Sequence, residues 1–239
     1  MVVRRKIVHL LKIVVAGKSS FKKCPLPLSL GRAMSKFEYD NPMNKLKLLT
    51  FLFLATFLSS CGEGYEKVDN EWAWVLRSEA GEHIRRMNTD VPTFEILKDK
   101  KYAKDKENVF CEGVVIEFAD PVTFEVISDG YSKDYKHVFL DNDIVIFANP
   151  NKFKILEWPF SIDDKFIFNG NLPITSKNID EFVATKLTGN KTSSTKSSFI
   201  QRNTDFAWLD TLKVKGIIYN DDSEGQTSNE KFRGIRKIE

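Results

Sequence analysis

Phe94, Phe124, Phe153 and Phe182 recur at steps of 30, 29 and 29 residues, and each follows an Asp or Asn by four positions: Asp90, Asp120, Asn149 and Asn178. The same step relates Tyr102, Tyr131 and Phe160; Asp105, Asp134 and Asp163; Val109-Phe110, Val138-Phe139 and Ile167-Phe168; and Ile116, Val145 and Ile174. A unit this short cannot bury its own apolar face, so it has to stack on its neighbours. Thr93-Phe94-Glu95-Ile96-Leu97 and Thr123-Phe124-Glu125-Val126-Ile127 are rich in aromatic and β-branched residues, as strands are. Glu112-Gly113, Asp129-Gly130 and Asn169-Gly170 supply turns. Pro121 and Pro150 open the next units, where a missing N–H does no harm. The prediction is an all-β fold over residues 71–188, with tandem repeats of about 29 residues whose short antiparallel strands and hairpins stack in an array. The repeated Phe and Tyr form the core.

Segments flanking the array read less regularly. Glu71-Trp72-Ala73-Trp74-Val75-Leu76 is predicted as a strand whose tryptophans cap the first repeat, with 61–70 as a tether before it. Residues 189–239 are predicted as a polar linker (Gly189 to Ser198), terminal strands around Phe206-Ala207-Trp208-Leu209 and Ile217-Ile218-Tyr219, and a polar, mobile tail from Asn220.

Charge divides the chain at Cys61. Residues 1–60 hold 11 Lys and Arg against Glu38 and Asp40, whereas the remainder holds 25 basic and 31 acidic residues, a net of −6. An acidic body excludes nucleic acid as a partner. Cys24 precedes the boundary, so beyond Cys61 only Cys111 is left as a thiol, and no disulfide can form within residues 62–239.

The boundary itself carries a motif. Met43-Asn44-Lys45-Leu46-Lys47 is a short basic start that runs into the apolar stretch Leu48 to Leu58. Eleven residues span roughly 16 Å as a helix, about half of a hydrocarbon core, as in a signal peptide rather than a membrane span. Leu58-Ser59-Ser60-Cys61-Gly62 resembles the lipobox of bacterial lipoprotein precursors, and that resemblance implies acylation of the Cys61 thiol and cleavage before it. Residues 43–60 are then the signal peptide, and Gly62 in the second mature position implies the outer membrane as the address. Translation is expected to start at Met43, with residues 1–42 an upstream extension. The competing expectation is a basic arm on a cytoplasmic protein.

Asp99-Lys100-Lys101-Tyr102-Ala103-Lys104-Asp105 to Phe110, echoed by Asp129-Gly130-Tyr131-Ser132-Lys133-Asp134 to Phe139, resembles the DKNYY family of bacterial repeat proteins over residues 90–156, fading through 182. Phe110-Cys111 and Phe139-Leu140 stand where that family has paired tyrosines. The resemblance implies an architecture and brings no reaction with it.

Catalytic chemistry finds little footing. His83 and His137 are the only histidines past Cys61, and neither has the company of a hydrolytic triad or zinc site. Cys111 reads as a buried apolar thiol. Asp141-Asn142-Asp143 and Asp163-Asp164 offer oxygen ligands without the spacing of a calcium loop. The expectation is a non-enzymatic lipoprotein, anchored through Cys61 and free of cofactor or metal, whose repeats meet an envelope protein or glycan. The alternative is an envelope hydrolase acting on cell-wall or glycan polymer.

Overall fold

The structure, a computed structural model, describes residues 62–238 and is made mostly of short antiparallel strands. β1 (Gly62–Val68), β2 (Glu71–Ser78) and β3 (Gly81–Arg86) form a three-stranded meander. Four-stranded meanders then follow at the predicted step. The first comprises β4 (Glu95–Ile96), β5 (Tyr102–Lys104), β6 (Val109–Cys111) and β7 (Val114–Val115). The second comprises β8 (Glu125–Ser128), β9 (Tyr131–Lys133), β10 (Val138–Leu140) and β11 (Asp143–Ile144). The third comprises β12 (Lys154–Glu157), β13 (Phe160–Ile162), β14 (Ile167–Asn169) and β15 (Leu172–Ile174).

A fourth sheet begins with β16 (Val183–Lys186), but the chain then leaves it for β17 (Thr192–Thr195), the short helix α1 (Lys196–Arg202) and β18 (Gly216–Tyr219). It returns with β19 (Glu224–Gln226), β20 (Lys231–Arg233) and β21 (Arg236–Lys237), giving the order β16-β19-β20-β21. Val183 faces Gln226, Ala184 faces Gly225 and Lys186 faces Glu224, with the same skipped residue that separates Val126 from Ser128 in the second repeat. Glu125 and Val183 are 58 residues apart, whereas Tyr131 and Glu224 are 93 apart, so residues 188–222 are a 35-residue insertion between the first two strands of a fourth repeat. The polar tail predicted to be mobile is therefore structural, the predicted linker supplies β17 and the start of α1, and of the predicted terminal strands only Ile217-Ile218-Tyr219 is one, since Phe206 to Leu209 lie in a 3-10 helix (Thr204–Thr211).

Ring packing repeats with the backbone. Phe94–Phe110, Phe124–Phe139, Phe153–Phe168 and Phe182–Phe232 have centroids 6.0, 6.1, 5.8 and 6.2 Å apart, all tilted. The first member of each pair also meets an aromatic of the preceding sheet: Tyr65, Tyr102, Tyr131 and Phe160, at 5.6, 5.9, 5.3 and 5.0 Å. Tyr65 lies in β1, so the segment predicted as a tether takes the place of a preceding repeat. Trp72 stacks on Phe94 at 4.5 Å and Trp74 is buried, as expected of a cap. The hydroxyls of Tyr65, Tyr102 and Tyr131 donate to the carbonyls of Lys101, Gly130 and Gly170 in the following units. Burial holds all three phenols well above their ordinary pKa.

The repeated aspartate is a staple. Asp105, Asp134 and Asp163 are buried, and each accepts three backbone N–H groups. In the second repeat Asp134 Oδ1 accepts from Lys136 and His137, at 2.7 and 2.6 Å, and Oδ2 accepts from Asp120 at 3.0 Å. Asp105 binds Glu107, Asn108 and Asp90 in this way, and Asp163 binds Lys165, Phe166 and Asn149. One side chain closes the turn between the middle strands and ties it to the start of its own repeat, which keeps buried backbone donors satisfied. Thr227 takes the position in the fourth repeat: its N–H still bonds the Glu230 carbonyl across the turn, but its buried Oγ1 has no partner.

Candidate functional site

The insertion crosses the second and third repeats as a strap. β17 and β18 pair from Thr192 opposite Tyr219 to Thr195 opposite Gly216, and Thr195 Oγ1 caps α1 by accepting the Ser198 N–H. Phe199 and Leu209 are fully buried with Ile146, Leu172, Ile217 and Tyr219. Polar side chains of the repeats then imitate a neighbouring strand. Asp143 Oδ1 accepts the Gly216 N–H at 2.8 Å. Asn171 accepts the Ile218 N–H at 2.8 Å and donates to the Gly216 carbonyl at 3.0 Å. Asn169 accepts from and donates to the backbone of Asn220, both at 2.8 Å. Residues 216, 218 and 220 share one face of the strap because strand side chains and peptide groups alternate with period two. Asn169 and Asn171 are fully buried, a placement these hydrogen bonds make tolerable.

Exposed aromatic rings line the seam between strap and repeats. Phe118 and Phe147, 29 residues apart, are 49% and 54% exposed and have φ of +68° and +66°. Each is third in a tight turn, closed by Ala119 N–H to the Ile116 carbonyl and by Ala148 N–H to the Val145 carbonyl. Such a turn demands positive φ at that position and normally has Gly or Asn there. An L residue in this region costs about 1–2 kcal/mol, and bulky residues held so cluster where a side chain is needed for a task. Phe147 stacks on the strap's Trp208 at 5.7 Å and 21° and lies 6.0 Å from Phe166; Phe118 lies 6.4 Å from His137.

Three adjoining clefts follow this seam. One of about 500 Å³ lies beside Phe118 and includes Val115, Asn142, Asp143, Ser194 and Lys215 in its walls. One of about 540 Å³ lies beside Phe147, walled by Phe166, Phe206, Trp208, Glu230 and Lys237. A smaller one, about 240 Å³, has both Phe118 and Phe147 in its wall and joins them. The larger two are in the size range of small-ligand sites.

Charges along the seam are compensated. Lys215 pairs with Glu117 at 2.5 Å and Lys237 with Glu230 at 2.9 Å. The Ser176 hydroxyl and the Lys237 ammonium hold the Glu230 carboxyl down at about 2. Burial raises Asp143 above the usual carboxylate range, against the lowering effect of the Gly216 N–H. Ring faces, amide and hydroxyl groups and paired charges thus meet along this one seam.

The sequence-derived candidates fall in different places. Cys61 and the segment before it lie outside the described residues. His83 is exposed on β3, far from any partner set, while His137 lies in the seam. Cys111 is buried and its thiol is pushed up to about 12, chiefly by burial. Asp163 is taken up by backbone donors, Asp141 pairs with Lys191, and Asp143 docks the strap. Among the described residues no three His, Cys, Asp or Glu side chains are grouped to hold a metal ion, and no helix is long and apolar enough to cross a membrane. The aromatic seam escaped sequence reasoning. Its signal was present in Phe118 and Phe147, which share a column of the repeat two residues before Asp120 and Asn149.

Residues 40–143 match the DKNYY family profile, a span that runs from just before Met43 through Cys61 and the cap into the second repeat. No curated protein and no solved structure matches the chain.

Proposed function

We propose that this protein is a lipid-anchored envelope protein whose β-repeat body is a binding module, tethered through Cys61 and contacting its partner through the aromatic seam. The observation that carries the reading is the pair Phe118 and Phe147: two half-exposed rings, one repeat apart, held at backbone positions that favour glycine. A surface that gains nothing from these rings would replace them. The anchor draws support from the basic start, short apolar run and lipobox-like Leu58 to Cys61, which fall within the matched family span beside the repeats. Acyl chains on Cys61 would hold the body at a membrane at about 0.8 kcal/mol per buried methylene.

The test has two parts. Intact mass of the protein from its native host should give a chain beginning at an acylated Cys61; retention of residues before Cys61 would sink the anchor. The unacylated body, residues 62–239, is a compact unit by itself; it should co-sediment with washed envelopes, and Phe147→Ala in that body should lose the association. Equal association of both forms would remove the seam from the function.

A second reading, hydrolysis of a glycan, draws on the cleft beside Phe118. Asp143 with its raised carboxyl pKa and Glu117 line the same walls, as a general acid and a carboxylate partner would. Against it, Glu117 is paired with Lys215 and Asp143 Oδ1 with the strap backbone. Glycan cleavage that disappears in both Asp143→Asn and Glu117→Gln would establish it.

A further inference from the structure

We propose that β3 is a dimerisation edge: it takes the β3 of a second copy of this chain as its next antiparallel strand, so that two three-stranded meanders become one six-stranded sheet. This surface is independent of the seam. All six residues of β3 are exposed, and among the described residues the strand pairs only with β2. Its register runs unbroken from Ala73 opposite Arg86 to Ser78 opposite Gly81. The edge strands of the repeats differ: β4, β7, β11 and β21 have two residues, β15 has three, and β8, β12 and β16 each skip a residue. Short or bulged edges resist strand addition, whereas a longer regular edge is a template for it.

The backbone sets the pairing. In an antiparallel ladder, alternate residues turn their N–H and C=O toward a given neighbour. The Met87 N–H donates to the Trp72 carbonyl at 3.2 Å, so odd-numbered residues of β3 face β2, and Glu82, Ile84 and Arg86 turn their backbone groups outward. A two-fold axis makes such an edge meet itself. One register engages all three outward residues of each copy: Ile84 opposite the partner's Ile84, and Glu82 opposite the partner's Arg86 on both sides of it. Ile84 is 38% exposed and stands beside fully buried Val75, so the Ile84 pair continues an apolar row across the junction. Glu82 meets Arg77 at 2.8 Å and Arg86 meets Asp69 at 2.6 Å, yet their side chains stay 45% and 51% exposed. Joining them alternates the signs: Arg77, Glu82, the partner's Arg86, the partner's Asp69. Sliding the strands by two residues sets Glu82 opposite the partner's Ile84 and strands Arg86, and sliding by four sets Glu82 against Glu82 or Arg86 against Arg86, which opposes like charges. Read in the antiparallel sense, Glu82-x-Ile84-x-Arg86 is its own complement, and this names a second copy as the occupant.

The experiment combines sedimentation equilibrium of the body, residues 62–239, at up to about 1 mM with oxidative cysteine cross-linking. A reversible dimer is expected. Ile84→Pro removes an N–H that β2 does not use, so it should abolish the dimer and leave the thermal midpoint unchanged. Residues directly opposite in a hydrogen-bonded pair have Cα atoms about 5.5 Å apart, within disulfide reach, whereas the two copies of residue 82 lie four residues apart, roughly 13 Å. Ile84→Cys alone should therefore cross-link and Glu82→Cys alone should not, while Glu82→Cys mixed with Arg86→Cys should. Parent protein, which keeps buried Cys111, gives the background. If Ile84→Pro lowers the midpoint, the cross-linking pattern decides. A body that stays monomeric throughout, a dimer that a folded Ile84→Pro leaves intact, or cross-linking as strong for Glu82→Cys as for Ile84→Cys would overturn the proposal.

Discussion

Replacing Phe232 with alanine tests whether the C-terminal residues complete a split repeat. Phe232 is 1% exposed and packs in one cluster with Phe160, Ile167, Ile174 and Phe182, with its ring 6.2 Å from that of Phe182. Truncating a buried phenylalanine removes its transfer free energy and leaves a cavity, together about 3–5 kcal/mol. A residue in a mobile polar tail changes stability by only about 0.5 kcal/mol. In a stacked array the terminal unit can open alone, so a global melt would dilute the effect. Hydrogen exchange followed by mass spectrometry isolates it, in peptides covering 183–186 and 224–237. At about 1.4 kcal/mol per ten-fold, Phe232→Ala should speed exchange there by roughly two to three orders of magnitude, with peptides of the first repeat little changed. Phe232→Leu keeps most of the volume and should cost less than about 1.5 kcal/mol. Exchange in β16 and β20 indifferent to Phe232→Ala would refute the split repeat.

Three further outcomes follow from the packing. Asp134→Ala strands the N–H groups of Asp120, Lys136 and His137 and should cost about 3 kcal/mol in urea denaturation, whereas Asp134→Asn keeps the Oδ1 pair and should cost about half as much. Gly170→Ala places a methyl against the Ile218 carbonyl at a φ of +62°, so a loss of more than about 2 kcal/mol is expected, and a neutral result would mean the strap is not docked there. Asp143→Asn tests the strap's pH dependence. Burial raises the folded pKa of Asp143 above its unfolded value, so the stability it confers is full below the unfolded value and is lost as pH rises through the folded one. The asparagine variant should therefore melt higher than the parent at pH 7 and converge with it near pH 4; a constant difference across that range would contradict the burial argument.

Much of the array was legible because stacked repeats write their core as a period. Phe94, Tyr102, Phe110 and their echoes have one environment each, and identical environments select the same residue class. The repeated Asp105, Asp134 and Asp163 were visible as a column, but their role was not, since turn closure and metal binding draw on the same side chain. The fourth repeat was hidden by the insertion at residues 188–222, which broke the step after Phe182. Once the register is restored, Phe232 stands at the position of Phe110, Phe139 and Phe168. Its polar neighbours read as tail because β19, β20 and β21 are only three, three and two residues long, and Phe232 and Ile235 are the buried hydrophobic residues after Asn220. The strap contacts were illegible for another reason: Asn169 and Asn171 look like turn residues until the chain they bind, 45 to 51 residues later, is laid beside them.

The role of the seam is tested most directly by Phe118→Gly/Phe147→Gly in the unacylated body, residues 62–239, measured for both stability and envelope association. Relief of the left-handed backbone returns about 1–2 kcal/mol at each site, and loss of a half-buried ring removes about as much. If the rings are kept for a partner, urea denaturation should move by less than about 1 kcal/mol per site while association with washed envelopes is lost. If the rings are part of the core, the double variant will be destabilised by several kcal/mol. Retained association in a stable double variant would equally contradict the seam as the binding surface.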